Sequence, residues 1–326
     1  MLLHGPNGAG KTNMLEALHV GTQGFSPRAR ADAQMIRFGA DAGRIALRGT
    51  NAASGFETDV RLTARDARRA HLNGERLASA ERLRHELRTL VFTPDRLAVV
   101  KGAPATRRAY LDRSLGRLLP TKAAVPVDYA AAVGQRNACL RRLRVGVSSP
   151  DALRPWTERA VVLGQELVEA RTTAVAGLGE PFGRLAGELG LDSATLAYDG
   201  EPLTIAELEG RLARDLERGV TGAGPHLHDL RIEARGRDLR SFGSQGEQRV
   251  AVLALVLAEA DLLRSLARSD PLLLLDDVLS ELDGDRRRAL AEILRQAGQA
   301  VLTATALGAL PVEPSQALAV SPGRIA

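Results

Sequence analysis

Hydrophobic positions along the chain first repeat with the period of a helix and then with the period of a strand. Met14, Leu15 and Leu18 are spaced as on one face of a helix, which we expect to end at Gly21. Between residues 44 and 77 the period is two, and an Asn-Gly pair in this range is a hairpin turn signal. The next apolar run, which a proline ends, predicts one further strand. These patterns predict a helix followed by an antiparallel sheet.

Helical patterns dominate from about residue 105 to residue 216, where glycine and proline recur at short intervals and no heptad repeat is sustained. After residue 230 the chain returns to strand, helix, an apolar strand, helix and a last strand. We therefore predict an α/β fold. Residues 1–104 and 221–326 would form one lobe around a mixed sheet, and residues 105–220 would form an inserted, mainly helical second lobe.

The composition indicates a globular protein of the cytoplasm. A hydrophobic content of 44% over 326 residues is enough to bury a substantial core. No apolar run approaches the roughly 20 residues that cross a bilayer, and the first residues lack the regions of a signal peptide. The single cysteine, Cys139, excludes an intrachain disulfide and a cysteine-based zinc site, which agrees with a reducing compartment.

The charge balance favours an anionic partner without identifying one. The net charge is +5 and the isoelectric point is near 9.9. Lys11, Lys101 and Lys122 are the only lysines, and every other basic residue is arginine. In a chain that favours arginine so strongly, a retained Lys11 indicates that its position needs a compact ammonium group, which arginine replaces poorly.

A glycine-rich stretch near the start, GPNGAGKT, has the G-x-x-x-x-G-K-[ST] pattern of a phosphate-binding loop. In such a loop, backbone N–H groups turn inward around a phosphate, and the following helix adds its positive N-terminal end. Lys11 would reach the β and γ phosphates of ATP, and the Thr12 hydroxyl would hold Mg²⁺. The alternative is a glycine-rich turn that matches by chance. The predicted nucleotide-binding residues are Gly5, Pro6, Asn7, Gly8, Ala9, Gly10, Lys11 and Thr12.

A run of four leucines ends in two carboxylates, LLLLDD, at residues 272–277. A strand this apolar is typical of a parallel sheet that is buried on both faces, and its C-terminal end lies where such sheets bind ligands. Asp276 would bind Mg²⁺ through water, and Asp277 would polarise the water that attacks the γ-phosphate. The alternative is a core strand followed by a carboxylate that caps a helix.

A Gly-Ser-x-Gly turn at residues 242–249, FGSQGEQR, opens a long apolar helix and suits anion binding. The alternative is a capped helix start, with Ser244 as N-cap and Glu247 in the capping-box position. In this order, the phosphate loop, this turn, the two acids and the SELD that follows them resemble the head of an ABC-type ATPase. The resemblance implies that Ser244, Gln245 and Gly246 complete the ATP site of a second subunit.

Two longer stretches resemble the RecF family of bacterial DNA repair ATPases, which are related to SMC heads. TPDRLAVVKGAPATRRAYLD, at 93–112, has the family's Pro-Asp, Gly-x-Pro and Arg-Arg-x-aromatic-Leu-Asp elements. LLLLDDVLSELDGDRRRAL has its second pattern, with paired aspartates where many ABC ATPases carry Asp-Glu. The resemblance runs from Leu2 to the C-terminus. From the residues alone, Arg107, Arg108 and Asp112 are equally explained as a solvated helix face.

The resemblance implies a slow, DNA-dependent ATPase that dimerises when ATP is bound. It implies binding to single-stranded and double-stranded DNA at gap junctions, help in loading RecA, a role in SOS induction, and RecO and RecR as partners. Aromatic residues make up only 3% of the chain, so we expect contacts to phosphates rather than base stacking. One candidate DNA surface comprises Arg136, Arg141, Arg142 and Arg144, and its alternative is again a solvated helix face.

Two segments differ from the family pattern, and the role of one residue has two interpretations. The segment from Gly224 to Asp229 reads GPHLHD, where the family has Gly-Pro-His-Arg-Asp-Asp, so the role of the missing Arg and Asp is in doubt. Thr303, at the end of the last predicted strand, either contacts the γ-phosphate or is an ordinary strand residue. Relatives begin with a strand hairpin before the phosphate loop, so we expect this chain, with only Leu2 and Leu3 there, to fold poorly or bind ATP weakly.

Two other functions compete with this interpretation. An ABC transporter subunit would need a membrane partner, a histidine after the last strand and a shorter gap between loop and signature, and the sequence has none of these. A non-hydrolysing DNA-binding scaffold would fit the short N-terminus. The intact Lys11, Asp276 and Asp277 argue against a scaffold, because a chain without turnover has no need of them.

Overall fold

The computed structural model describes residues 1–29, 31–51, 54–267 and 270–325. The strands are, in chain order, β1 (Leu2–His4), β2 (Ala42–Asn51), β3 (Ser54–Thr63), β4 (Arg69–Leu72), β5 (Glu75–Arg76), β6 (Thr89–Phe92), β7 (Ala194–Asp199), β8 (Asp229–Ala234), β9 (Arg237–Asp238), β10 (Leu272–Leu275), β11 (Ala300–Ala304), β12 (Ala317–Ser321) and β13 (Arg324–Ile325).

The α-helices are α1 (Lys11–Gln23), α2 (Glu81–Glu86), α3 (Ala98–Lys101), α4 (Pro104–Leu118), α5 (Val125–Arg144), α6 (Arg154–Glu188), α7 (Ile205–Gly210), α8 (Leu212–Arg218), α9 (Leu239–Phe242), α10 (Gln245–Ala267) and α11 (Gly284–Gln296). None of the helices in the described ranges combines the length and hydropathy that crossing a bilayer requires. The alternation of helices with a mainly parallel sheet confirms the predicted α/β class.

Packing contacts divide the chain into two units. The first comprises Met1–Arg96, Glu188–Gly190 and Val252–Ala326, and the second comprises Leu97–Gly187 and Leu191–Ala251. The division predicted from the sequence, at residues 104 and 220, rests on the period of the hydrophobic positions and stays a prediction. By packing, the Gly-Ser-x-Gly turn belongs to the second unit.

The main sheet of the first unit has the strand order β13-β12-β1-β11-β10-β6. The pairs from β12 to β6 are parallel and β13 is antiparallel, so the sheet is mixed. β1 is three residues long and pairs on both sides, with Leu2 opposite Leu302 of β11 and Ala317 of β12. Because β1 is internal, Leu2 and Leu3 are buried. This sheet brings the C-terminal ends of β1, β10 and β11 to one edge.

The second sheet of the first unit, β2-β3-β4-β5, is the antiparallel sheet that the period-two pattern predicts. Its inner face packs around Val60, Leu62 and Leu72. α1 lies against this face at Gly21, where an added Cβ would come within 2.3 Å of the Leu47 side chain. The predicted helix end at Gly21 is therefore wrong. α1 ends at Gln23 and is capped by Gly24, whose φ of 73° permits the left-handed conformation.

The second unit contains long helices and the small antiparallel sheet β7-β8-β9. α6 is 35 residues long and continues through Pro181, so the glycines and the proline in this range do not interrupt the helix. β7 lies inside the range that the sequence pattern assigned to helices. It is a strand because all of its residues pair with β8, a partner distant in sequence. One core of this unit centres on Tyr129, Leu163 and Leu203.

Candidate nucleotide-binding site

The phosphate-binding loop connects β1 to α1, which is the strand-loop-helix arrangement that the sequence motif requires. Gly5, Gly8 and Gly10 have φ angles of 152°, 79° and 103°, a region that other residues rarely adopt. A Cβ on Gly5 would lie 2.1 Å from the Val320 carbonyl oxygen, so this position also excludes a side chain sterically. The glycines therefore permit a backbone turn that no substituted residue would adopt without strain.

Lys11, the first residue of α1, is only 9% exposed and points back over the loop. Its Nζ donates hydrogen bonds of 2.7 Å to the Gly5 carbonyl oxygen and 2.9 Å to the Pro6 carbonyl oxygen. α1 has no acidic residue in its first turn, so the helix itself supplies no carboxylate that offsets the positive end of its dipole. The loop thus combines an ammonium group and a helix N-terminus, both of which stabilise a bound phosphate.

Asp276 lies just beyond β10, an internal strand of the main sheet, and is 6% exposed. Its Oδ1 accepts a 3.0 Å hydrogen bond from the Thr12 hydroxyl. The backbone N–H of Asp276 donates to the Phe92 carbonyl oxygen of β6 at 2.9 Å. The structure thereby brings the end of the phosphate loop and the first of the two acids together, although they are 264 positions apart in the sequence.

Asp277 has left-handed backbone angles, φ 51° and ψ 26°. A non-glycine residue in this region carries strain of about 1 to 3 kcal/mol, which is commonest at functional sites. Its backbone N–H donates to the Thr303 hydroxyl at 2.8 Å. Asp277 precedes a short 3₁₀ segment but forms no side-chain capping bond to it. The helix-capping alternative for this carboxylate is therefore not supported.

Thr303 of β11 is buried, with 1% of its surface exposed. Its hydroxyl donates a 2.8 Å hydrogen bond to Asp276 Oδ1 and accepts the N–H of Asp277. Both hydrogen-bonding directions of this hydroxyl are therefore used by the two aspartates. The sequence pattern identified Thr303 as a candidate phosphate contact but gave no sign of this connection.

The donor set around Asp276 fits Mg²⁺. The Thr12 hydroxyl and the Asp276 carboxylate supply oxygen atoms, which this hard cation prefers. The described ranges contain no group of three or more His, Cys, Asp or Glu residues that would hold a metal ion alone. That agrees with Mg²⁺ sites in which one or two protein oxygens act together with the phosphates of a substrate.

Ser244 and Glu247, in the second unit, form the capping box that the sequence left as an alternative. The Ser244 hydroxyl accepts the Glu247 N–H at 3.2 Å, and the Ser244 N–H donates to Glu247 Oε2 at 2.8 Å. The hydrogen bond from the Ser244 backbone, aided by Arg235, lowers the pKa of Glu247 despite partial burial. Ser244 and Gln245 are exposed at the start of α10, and Gly246 is half-buried. Capping therefore leaves the turn accessible.

Arg107 and Asp112 do not form a solvated helix face, so that alternative is wrong. Arg107 is buried and makes a bidentate ion pair with Asp229, at 2.7 and 2.6 Å. Asp112 makes a second bidentate pair with Arg171 of α6, at 2.8 and 3.0 Å. Sequence reasoning missed Arg171, because its partner is 59 positions away and no local pattern distinguishes it. These pairs are part of the packing of the second unit.

The segment at residues 224–229, whose sequence differs from the family pattern, is held by hydrogen bonds from Arg171 and Arg108. Arg171 donates to the Pro225 carbonyl oxygen at 2.7 Å, and Arg108 donates to the His228 carbonyl oxygen at 2.8 Å. The His226 ring contacts the Tyr129 hydroxyl at 2.7 Å, and burial lowers the pKa of this histidine. The last acid of this segment, Asp229, pairs with Arg107.

The candidate DNA surface around α5 is not supported as a unit. Arg136 is 1% exposed and donates to Asp215 at 2.8 Å and to the Thr221 hydroxyl at 2.9 Å. Arg141 donates to the Gly219 carbonyl oxygen and Arg144 donates to the Glu217 carbonyl oxygen. Because Arg136 neutralises a buried carboxylate, it is not available to a DNA phosphate.

Comparisons with known proteins agree with this geometry. A family model described as "RecF/RecN/SMC N terminal domain" matches residues 1–310. The DNA replication and repair protein RecF of Heliobacterium modesticaldum is 36% identical over 325 residues, which cover 95% of this chain and 87% of the relative. RecF of Anaeromyxobacter sp. strain K is 38% identical over 319 residues, covering 93% of this chain and 86% of the relative.

Solved structures are similar in fold. The recombination mediator protein RecF in its ATP form, from the RecFOR pathway, superposes with a TM-score of 0.87 at 24% identity, covering 100% of this chain and 90% of that chain. An Smc head domain derived from Pyrococcus furiosus, bound to the C-terminal domain of ScpA, gives a TM-score of 0.57 at 16% identity, covering 98% and 86%.

Proposed function

The chain belongs to the RecF family of DNA replication and repair proteins, within the RecF/RecN/SMC group, and we propose that it is an ATP-driven switch that binds DNA. The contact that carries the ATP part of this proposal is the Thr12–Asp276 hydrogen bond, at 3.0 Å. It joins the phosphate-binding loop to the end of β10, which is where a P-loop ATPase holds the metal ion and the terminal phosphates of its nucleotide.

In this proposal the loop from Gly5 to Thr12 binds the phosphates through backbone N–H groups and the Lys11 ammonium group. Lys11 would exchange its hydrogen bonds to the Gly5 and Pro6 carbonyl oxygens for phosphate oxygens. Thr12 and, through water, Asp276 would hold Mg²⁺. When bound, Mg²⁺ neutralises charge on the phosphate oxygens.

Asp277 is the proposed general base for hydrolysis. Its backbone is fixed through the N–H that donates to Thr303, and its half-buried side chain makes no hydrogen bond within the described part of the chain. A carboxylate in that state is free to accept a proton from water. From the family to which the chain belongs, we expect turnover to be slow and to rise with DNA.

Ser244, Gln245 and Gly246 are proposed to contact the γ-phosphate bound by a second copy of the chain. Ser244 and Gln245 are exposed, and with Gly246 they lie at the N-terminal end of a helix of 23 residues. The N–H groups at such an end attract anions. ATP would thereby link two copies and produce a homodimer that separates after hydrolysis.

We propose that the protein acts in DNA replication and repair, as its RecF relatives are named to do. The RecFOR pathway of the structural relative supports RecO and RecR as partners. In this scheme the ATP-bound dimer binds gap junctions between single-stranded and double-stranded DNA. There it assists the loading of RecA, and through RecA it promotes SOS induction. With DNA as its substrate, the protein would act in the cytoplasm.

Neither competing function is favoured. A transporter subunit would need a membrane partner, and the similarity to RecF relatives over more than nine-tenths of the chain argues for DNA as the partner instead. A non-hydrolysing scaffold would not require the Thr12, Asp276 and Thr303 contacts, which join three separate segments of the chain.

The test is the molar mass in solution with and without ATP, measured by light scattering. We expect the wild type to double in mass with ATP and Lys11→Ala to stay monomeric. Lys101→Ala is the matched control, because Lys101 is an exposed lysine outside the site, and it should dimerise like the wild type. If Lys11→Ala and the wild type show the same mass with ATP, the switch is refuted.

A further inference from the structure

The solvent face of the sheet β2-β3-β4-β5 carries a row of arginines that crosses three strands. Arg44 of β2 lies directly opposite Arg61 of β3, and Arg61 lies directly opposite Arg69 of β4. Side chains alternate between the two faces of a sheet, and the neighbouring positions Ile45, Val60 and Ala70 pack on the inner face. The three guanidinium groups therefore leave the same face of the sheet.

Such a row is unfavourable by itself, because like charges directly opposite each other destabilise a sheet. A single carboxylate serves two of the three arginines. Asp59 accepts from Arg44 Nε at 2.6 Å and from Arg61 Nε at 3.2 Å. Partial burial raises the pKa of Asp59, but the hydrogen bonds and charges of Arg44 and Arg61 outweigh it and lower the pKa below its ordinary value. Arg69 makes no ion pair within the described ranges.

The rest of the same face adds positive charge. Arg48 of β2 pairs with Glu57 at 3.3 Å, and both side chains are largely exposed. Arg76 of β5 lies opposite His71, is exposed, and has no carboxylate partner among the described residues. The face thus has five arginines against the carboxylates of Glu57 and Asp59. The net positive charge of this face attracts anions.

We propose that this arginine face binds the phosphate backbone of double-stranded DNA. This inference rests on the proposed function, because it takes DNA to be the partner. Adjacent strands are about 4.8 Å apart, so the row from Arg44 to Arg69 extends over about 10 Å. A duplex carries one negative charge per about 1.7 Å of its axis, so several phosphates face a row of that length.

A duplex fits this face better than a single strand. Proteins that bind single strands without sequence preference supply aromatic side chains on which the bases stack. Phe56, the aromatic residue of β3, belongs to the inner face and packs in the core. The outer face offers guanidinium groups and the His71 imidazole but no Phe, Tyr or Trp ring, so it contacts backbone phosphates and reads no bases.

The test compares duplex binding by the wild type and by the triple variant Arg44→Gln/Arg61→Gln/Arg69→Gln, with ATP, over a range of salt concentrations. Fluorescence anisotropy of a short labelled duplex gives the affinity. Each lost phosphate contact reduces the slope of log K against log salt by about 0.9, so we expect the slope to fall by roughly 2 to 3. At about 0.1 M salt, binding should weaken roughly ten- to a hundredfold.

The matched control is Arg184→Gln/Arg288→Gln/Arg295→Gln, which removes the same charge from exposed helical arginines paired with nearby carboxylates. It should keep the wild-type slope. Both variants should retain ATP affinity, which shows that the fold is intact. An unchanged slope in the Arg44/Arg61/Arg69 variant, beside a wild type that binds duplex, overturns the assignment of this surface alone. A labelled single strand is measured in the same way. If the Arg44/Arg61/Arg69 variant loses affinity for the single strand only, the choice of duplex is overturned. A wild type that binds ATP but no DNA would overturn both this surface and the proposed DNA function.

Discussion

Thr303 and Asp276 are joined by a hydrogen bond of 2.8 Å between the threonine hydroxyl and Oδ1 of the carboxylate. The same hydroxyl accepts the backbone N–H of Asp277. One side chain of β11 thus fixes the carboxylate proposed to hold Mg²⁺ and the backbone of the proposed general base. We infer that Thr303 positions the two acids, in place of the direct γ-phosphate contact considered from the sequence.

Replacing Thr303 with valine should slow ATP hydrolysis more than it weakens ATP binding. The change keeps the shape of the side chain but removes both hydrogen bonds, and the Asp277 N–H loses its acceptor. A hydrogen bond to a charged group contributes about 1.5 to 3 kcal/mol, so we expect kcat to fall roughly tenfold or more. Thr303→Ser restores the hydroxyl and should restore kcat. Phosphate release and the Kd for a fluorescent ATP analogue measure the two effects, and a fully active Thr303→Val variant would contradict the positioning role.

Asp277→Asn should bind ATP and remain dimeric after ATP is added. The amide keeps the size of the side chain and the backbone hydrogen bond to Thr303, but it is a far weaker base. A positioned general base contributes about 10²- to 10⁴-fold to a rate, so hydrolysis should fall by that order. Light scattering over time, together with phosphate release, separates a trapped dimer from one that never forms. Unchanged turnover would remove Asp277 from its assigned role.

The site was largely predictable because its residues lie in two short continuous motifs. GPNGAGKT and LLLLDD each carry their own local signal, glycines before a helix and an apolar strand before acids. The contact between Asp276 and Thr303 follows instead from strand register. β10 and β11 pair Leu275 with Leu302, so the next residues, Asp276 and Thr303, become neighbours. That register is a property of the folded sheet, and no local pattern in the sequence specifies it.

The errors have the same origin. Arg107 and Arg136 look like solvated positions on helices, but their carboxylate partners lie 122 and 79 positions further along the chain. β7 falls in a range with helical patterns, and pairing with β8 overrides that local preference. The pattern predicts a helix end at Gly21, although this residue lies in the last turn of α1 and provides space for the Leu47 side chain. In each case a distant contact decides the structure.

Replacing Arg136 with methionine should strongly destabilise the second unit. Arg136 and Asp215 are almost fully buried, and the change leaves the Asp215 carboxylate without its charge partner. Removing one member of a buried pair costs about 3 to 5 kcal/mol. Urea unfolding measures this loss. Arg142→Met, at an exposed position of the same helix, is the control and should change stability by less than about 0.5 kcal/mol. In Arg136→Met/Asp215→Leu part of the stability should return, and a loss as large as in the single variant would contradict the ion-pair explanation.

His226 should make the protein less stable as the pH falls below about 6.5. Burial lowers the pKa of His226 in the folded state, so the unfolded chain binds a proton at a higher pH than the folded chain does. Stability is therefore fully present above the unfolded pKa and is lost as the pH falls toward the folded one. The neutral ring uses both nitrogens, at 2.7 Å from the Tyr129 hydroxyl and 3.0 Å from the Thr221 carbonyl oxygen.

The measurement is the free energy of unfolding in urea between about pH 7.5 and pH 5. We expect His226→Gln to be less stable at neutral pH and to show a smaller decrease in stability on acidification, because the residue that takes up the proton is gone. His228, whose pKa burial also lowers, remains in this variant and retains part of the decrease. His85→Gln, at an exposed position of α2, is the control and should reproduce the wild-type pH dependence. If His226→Gln has the same pH dependence as the wild type, the buried ring is not the group that titrates.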